Sequence, residues 1–426
     1  MTSTLLRQVR IVDPGLQIDQ IADVLMVDGK FQAIAPTLAD PPEETQVIDG
    51  TGKLLAPGLI DLYSNSSEPG NESRESLADL MAGAIAGGFT RVGILPTTLP
   101  PLDTPGAIHH FVTLAQQSVT PRPQLLPWAA LTQGTKGEQM TELAELAASN
   151  IPLAGFANGQ PISHPVLLRR LLEYAKPLNQ PVALWPCDLA LVGNGIARDG
   201  SLALMGGLAG IPVAAETAAL ALIVELVQEI GTPVHLMRLS TARSVQLIER
   251  TKAEKLPITA STTWMHLMLS TSDTLSYDPN LRLSPPLGNP EDQAALIAGI
   301  KAGVVEAIAV DHSPYTYEEK TVAFEDAPPG AIGLALAFPT LWQRFVASGE
   351  WTATELLAPL TTHPASCLRQ NAGKIAVGNP VEALLFNPQA EWTIERETVR
   401  SPAQNTPFLH QHLQGKVTQV WTQHSY

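Results

Sequence analysis

Cysteine is nearly missing from this chain. Cys187 and Cys367 are the only two in 426 residues, too few for a disulfide framework and without the Cys-x-x-Cys spacing of a thiolate zinc site. A reducing, cytoplasmic setting is the expectation. Positive charge is also scarce: 26 Lys and Arg stand against 41 Asp and Glu, a net charge of -15. Such a field repels phosphate backbones and anionic lipid, so neither nucleic acid nor membrane is expected as a partner. No apolar run is long enough to cross a bilayer. The most apolar window, roughly Leu202 to Val227, is broken by Gly206, Gly207, Gly210, Pro212 and Glu216, and reads as a loop followed by a packed helix. The first ten residues carry no apolar core of a signal peptide. Internal repeats and low-complexity tracts are absent as well.

Hydrophobic residues at 45% and charged residues at 16% describe an ordinary globular protein, long enough for one large domain with an appendage. Both ends are strand-rich. Leu5 to Val12, Ala22 to Val27 and Phe31 to Ile34 alternate as strands, with Asp28-Gly29 as a hairpin turn. Gly373 to Ile375, Ala383 to Pro388 and Lys416 to Trp421 read alike. Pairing of the two ends predicts a small β-sandwich from residues 1–54 and 366–426.

Between them strands and helices alternate. Helices are expected at Asp79 to Gly87, Thr141 to Ser149, Pro165 to Tyr174, Glu216 to Glu229 and Ser244 to Lys255. Strands are expected at Arg91 to Leu95, Pro181 to Trp185, Pro233 to Leu239, Pro257 to Ala260 and Ala307 to Val310, the last delivering Asp311 at its carboxyl end. This alternation predicts a (β/α)8 barrel over 55–365, with any chemistry at the carboxyl ends of its strands.

Its first strand is the apolar run ending at Leu62, bounded by Pro57-Gly58 before it and a polar cluster after it. A His-x-His pair directly after such a strand would be a metal site. The chain has Tyr63-Ser64-Asn65 instead. The surrounding words resemble the first metal strand of dihydroorotases, in the wider amidohydrolase family: Pro57, Gly58, Asp61, Glu68, Pro69 and Gly70 match the pattern Pro-Gly-x-x-Asp-x-His-x-His-x-Arg-Glu-Pro-Gly. Further segments are similar in the right order. They include Ala86-Gly87-Gly88-Phe89-Thr90, Val234 to Thr241, Val310-Asp311-His312-Ser313-Pro314-Tyr315 and Asn405-Thr406-Pro407-Phe408.

The resemblance implies zinc in active relatives, held by a first-strand His pair, a bridging Asp or Lys, two further His and a late Asp. Zinc acidifies a bound water that attacks a cyclic amide. Carried onto this chain, those metal positions fall on Tyr63, Asn65, Asn158, Trp185, Arg238 and Asp311. Only Asp311 keeps the family's residue. The positions that would grip dihydroorotate fall on Ser67, Thr97, Ser284, Gly288 and Tyr315, and these too depart from the family pattern. An arginine has no lone pair to offer a metal, and one carboxylate cannot hold zinc, so no metal or other cofactor is expected.

Arg238 is expected to pair with Asp311 and replace the ion's charge, with Asp311 at most a relic general base. His235, His266 and His312 are expected to be packing groups, His235 on the strand face opposite Arg238. By resemblance, the expectation is a catalytically inactive dihydroorotase-like protein of pyrimidine biosynthesis, assembling with aspartate transcarbamoylase as part of a homo- or hetero-oligomer. The alternative is an active cyclic amide hydrolase interconverting N-carbamoyl-aspartate and dihydroorotate.

Overall fold

The chain changes sheets at Gly58. In the computed structural model, which describes residues 3–39, 41, 44–117 and 121–422, Leu54–Pro57 is a strand of the terminal sheet and Leu59–Ser64 is the first strand of a barrel. A Cβ at position 58 would lie 2.2 Å from the Thr90 hydroxyl oxygen, so the crossing admits only glycine.

Eight parallel strands follow one another round the barrel: Leu59–Ser64, Phe89–Ile94, Gln124–Ala130, Gly155–Ala157, Val182–Leu184, Val234–Leu236, Ile258–Thr263 and Ala307–Ala309. The seam between the last and the first is closed by backbone donors, among them the His312 amide, which reaches the Ser64 hydroxyl at 3.0 Å. The Asp311 amide reaches the Tyr63 carbonyl at 3.1 Å, the Asn65 amide reaches the His312 carbonyl at 2.8 Å, and the Val310 amide reaches the Asp61 carboxylate at 2.7 Å. Burial pushes the Asp61 carboxyl up to about 7, against hydrogen bonds from the Ser64 hydroxyl and the Val310 amide.

The outer helices start and stop where capping chemistry places them. Ser76 and Asp79 form a capping box at the head of Leu77–Gly87, which ends on left-handed Gly88. Thr241 caps Ala242–Ala253, and Ala214–Ile230 is the packed helix expected after the broken apolar window. Among the described residues no helix is long and apolar enough to cross a membrane. The Thr141 to Ser149 helix contracts to Leu143–Ala147, because Thr141 instead donates its hydroxyl to the carbonyls of Ala130 and Leu131.

Seven strands from the two ends form one continuous sheet, in the order His412–Trp421, Ala383–Thr393, Leu54–Pro57, Ser3–Asp13, Ile18–Val27, Lys30–Ala35, with Gln46–Asp49 also paired to Ser3–Asp13. Asp28 and Gly29, both with positive φ, make the hairpin turn. Gly373 to Ile375 is not a strand. The Ile375 amide donates to the buried Asp13 carboxylate at 2.9 Å, a side-chain bond that replaces ladder pairing. The C-terminal segment also returns to the barrel, where Phe408 packs on Trp264 with ring centroids 5.3 Å apart.

Candidate functional site

Two strand ends break the regular backbone. Arg238, just past the sixth strand, and Asp311, just past the eighth, both adopt left-handed conformations, φ 59° and 54°. Non-glycine residues pay for that geometry, and such outliers concentrate where the fold must aim a side chain. Here they aim at each other. Arg238 Nε donates to Asp311 Oδ2 at 2.8 Å and Nη2 donates to Oδ1 at 2.7 Å, a two-pronged pair, while Nη1 donates to the Gly159 carbonyl at 3.0 Å. The guanidinium lies 4.6 Å from the Trp185 ring centre and 5.7 Å from that of Tyr63. Burial works against its charge, but the Asp311 carboxylate outweighs it and holds Arg238 above its ordinary pKa.

Beneath this pair runs a line of hydrogen bonds inside the barrel. The Arg238 amide donates to the Tyr63 hydroxyl at 2.9 Å, the Tyr63 and Ser261 hydroxyls are hydrogen-bonded at 3.0 Å, and Ser261 is hydrogen-bonded to His235 Nε2 at 2.8 Å. His235 Nδ1 is hydrogen-bonded to the Thr259 hydroxyl at 2.9 Å, so both ring nitrogens have a hydroxyl partner. Burial pushes the His235 imidazole down to about 3 and holds the Tyr63 phenol above its usual value. His235 thus points to the barrel interior, as Arg238 does. The left-handed turn at Arg238 breaks the period-2 alternation that predicted opposite faces.

Above the pair is a cavity of about 280 Å³ whose wall includes Asn65, Ser67, Thr97, Trp185, Arg238, Ser284, Asp311 and Tyr315. Asn65 is held from both sides: its carbonyl oxygen accepts from Thr97 at 3.0 Å and its amide donates to Ser313 at 2.7 Å. Two expected site residues are elsewhere. Asn158 is buried with its amide turned to the Thr132–Thr135 turn, accepting from Thr132 and donating to the Thr135 carbonyl at 2.8 Å, because Gly159 and not Asn158 meets Arg238. Gly288 has no room for any side chain, since a Cβ there would sit 2.6 Å from Asp292 and 2.8 Å from the Ser240 carbonyl.

Arg74, Asn71, Gln160 and Met265 also line the cavity, though no spacing in the sequence marked them. Arg74 pairs with Glu319 and lies 4.7 Å from the Tyr315 ring centre. His266 is a wall residue whose Nδ1 meets the Thr263 hydroxyl at 2.7 Å and whose Nε2 reaches the Pro286 carbonyl at 3.2 Å. Burial pushes it down to about 4, so it is neutral and held by local partners. His312 lies outside the cavity, donating from Nε2 to buried Glu75 at 2.9 Å while Nδ1 accepts from the Gly333 amide at 3.1 Å.

These donors do not fit the zinc that the resemblance to dihydroorotases implies. A phenol, two amides, an indole and a guanidinium replace the ligands, and both oxygens of the remaining carboxylate are taken by Arg238. Among the described residues no group of three or more His, Cys, Asp or Glu could hold a metal ion. Cys187 supplies no alternative nucleophile: half-buried, its thiol is pushed up to about 11, first by burial and then by the nearby Glu216 charge.

The architecture is that of the amidohydrolase-type barrels with a β-rich domain. L-hydantoinase (dihydropyrimidinase) from Arthrobacter aurescens superposes with a TM-score of 0.85 at 19% identity, covering 100% of this chain and 95% of its own. D-hydantoinase from Thermus sp. gives 0.81 at 21% identity, covering 99% and 94%. Sequence narrows the class. The Dihydro-orotase-like family model matches residues 52–244. A probable dihydroorotase-like protein of Synechocystis sp. is 42% identical, covering 96% of this chain and 97% of its own length, and the dihydroorotase of Geotalea daltonii is 35% identical, covering 95% and 94%. The chain belongs to the dihydroorotase-like family.

Proposed function

We propose that this chain is a dihydroorotase-family protein that has given up metal-dependent ring hydrolysis and serves pyrimidine biosynthesis in the cytoplasm as an assembly partner of aspartate transcarbamoylase. The observation that supports the loss of catalysis is the Arg238–Asp311 pair. The one carboxylate left at the family's metal positions is consumed by a fixed cation that stands where a histidine ligand would be. No hydroxide-generating centre can form there without breaking a buried, two-pronged ion pair. The altered substrate positions support the same reading. Ser67, Thr97, Ser284 and Tyr315 line the cavity without the guanidinium and amides that clamp a carboxylated ring in relatives.

The test is elemental analysis of purified protein together with assays of dihydroorotate hydrolysis and N-carbamoyl-aspartate cyclisation. The expected result is sub-stoichiometric zinc and no turnover. Stoichiometric zinc with turnover that a chelator abolishes would establish the active hydrolase instead. Tyr63→His with Asn65→His is expected to remain zinc-free by the same analysis, because Asp311 stays occupied and Asn158 stays turned away. For the assembly role, mixing with the host transcarbamoylase is expected to give a larger species in light scattering after gel filtration. Unchanged elution of both proteins removes that role.

A further inference from the structure

Apolar side chains in water are ordinary singly and informative when they cluster. Eight of the fifteen large hydrophobic residues that are exposed among the described residues fall on the loops after the fifth, seventh and eighth barrel strands. The most exposed are Leu204 at 82%, Met205 at 78% and Tyr317 at 73%. These loops are joined. The Tyr277 hydroxyl donates to the Gly206 carbonyl at 2.8 Å, and the Lys320 ammonium donates to the Pro279 carbonyl at 3.1 Å.

Nor is the loop after the fifth strand free to fold its apolar groups inward. Its Arg198 is buried and donates to Ser240 at 2.7 Å, and Asp188 caps the short helix Leu189–Val192 while its amide is tied to the Ala215 carbonyl at 2.7 Å. On the short helix Ser201–Met205, Ala203 faces in and Leu204 and Met205 face out. A surface held this way needs little ordering on association.

The charge on these loops is mostly of one sign, although Glu319 is paired with Arg74. Residues 188–210, 271–282 and 316–326 carry Asp188, Asp199, Asp273, Asp278, Glu318, Glu319, Glu325 and Asp326, against Arg198 and Lys320, both buried, and half-buried Arg282. A second copy docking face to face would bring the same acidic rim against itself, on a chain already at -15.

We propose that this acidic-rimmed apolar surface, centred on Leu204, Met205, Leu275, Tyr277 and Tyr317, docks a different protein that presents an apolar centre ringed by lysine and arginine. The inference rests on the assembly reading above and names the face that assembly uses.

The experiment uses the full chain and the host transcarbamoylase, with affinity followed by biolayer interferometry. The variant Leu204→Glu with Met205→Glu is expected to bind at least about tenfold more weakly, since interface centres carry most of the affinity and a carboxylate buried against an apolar centre is desolvated without a counter-charge. Asp273→Lys with Glu318→Lys is expected to slow association at low salt. Val166→Glu, exposed on the barrel helix Pro165–Ala175, is expected to bind as the parent does. All of these positions are solvent-exposed, and circular dichroism melting curves establish that each variant is folded. If the parent binds and the Leu204/Met205 variant binds equally well, the docking face is refuted and the assembly reading stands. If the parent does not bind, the assembly reading fails and takes the docking face with it. If the variant alters this chain's own oligomeric state, the occupant is a second copy and the proposal is overturned.

Discussion

Arg238 and Asp311 together are a different object from either alone. Each is desolvated at the barrel mouth, and each satisfies the other's hydrogen-bonding groups. Coulomb attraction at about 4 Å with an effective dielectric of about 20 is bounded near 4 kcal/mol, and desolvation removes much of it. Asp311→Leu is therefore expected to cost about 3–5 kcal/mol, because it strands the buried Arg238 charge, Arg238→Met less because Asp311 is partly exposed, and the double variant much less than the sum. Urea denaturation of the four proteins measures this coupling. Singles that cost under about 1 kcal/mol would show the pair to be unimportant to the fold.

His235 makes a pH prediction at the same scale. Its folded imidazole, pushed down to about 3, takes up a proton far less readily than the unfolded chain does at about 6.5. The stability it contributes is complete above about 6.5 and is lost as pH falls toward the folded value. His266, pushed down to about 4, acts with the same sign. Asp61, raised to about 7, acts with the opposite sign, adding stability at low pH that is lost as pH rises through 7. Comparison of parent with His235→Gln isolates one group: between pH 6 and 4 the variant's stability is expected to fall less steeply, by about 1.4 kcal/mol per pH unit. Equal slopes would mean that His235 is not buried neutral.

At the scale of elements, the strands and helices follow rules that the local sequence carries. Ser76 with Asp79, Thr241, and Pro105 after Thr104 mark helix starts, and Gly88 marks a stop. Gly58 is the element-scale device with the largest consequence, because it lets one chain leave the terminal sheet and enter the barrel within a single residue. Gly58→Ala is expected to destabilise by roughly 1–3 kcal/mol, since its methyl would displace the Thr90 hydroxyl from Glu382, to which it donates at 2.8 Å. Chemical denaturation reads the loss, and a neutral substitution would show that Thr90 can move away freely.

At the scale of the whole molecule, barrel and terminal sheet share an apolar core and are also joined by one buried carboxylate. Glu382 accepts from Arg91 Nε at 2.8 Å and Nη2 at 2.6 Å besides Thr90, joining the second barrel strand to the loop that leads into the Ala383–Thr393 strand. Glu382→Ala leaves the Arg91 cation buried, so a loss of about 3–5 kcal/mol is expected. In scanning calorimetry the single transition of the parent is expected to split in two as the sheet and the barrel unfold separately. One unsplit transition at the parental temperature would show that apolar packing alone couples them.

The alternation of strand and helix, the hairpin at Asp28-Gly29 and the missing first-strand histidines were all legible in the chain, because propensity, turn chemistry and residue type are local properties. So was the identity of Arg238 and Asp311 as partners, through their places after the sixth and eighth strands. Only the tertiary structure decided that Asn158 turns away, that Gly288 is walled in, that His235 points inward, and that Arg74, Gln160 and Met265 complete the cavity. Each of those outcomes depends on a backbone turn or a contact between residues far apart in sequence. The left-handed conformation at Arg238 is the clearest case: strand periodicity predicts one face, and a single positive φ sends the side chain to the other.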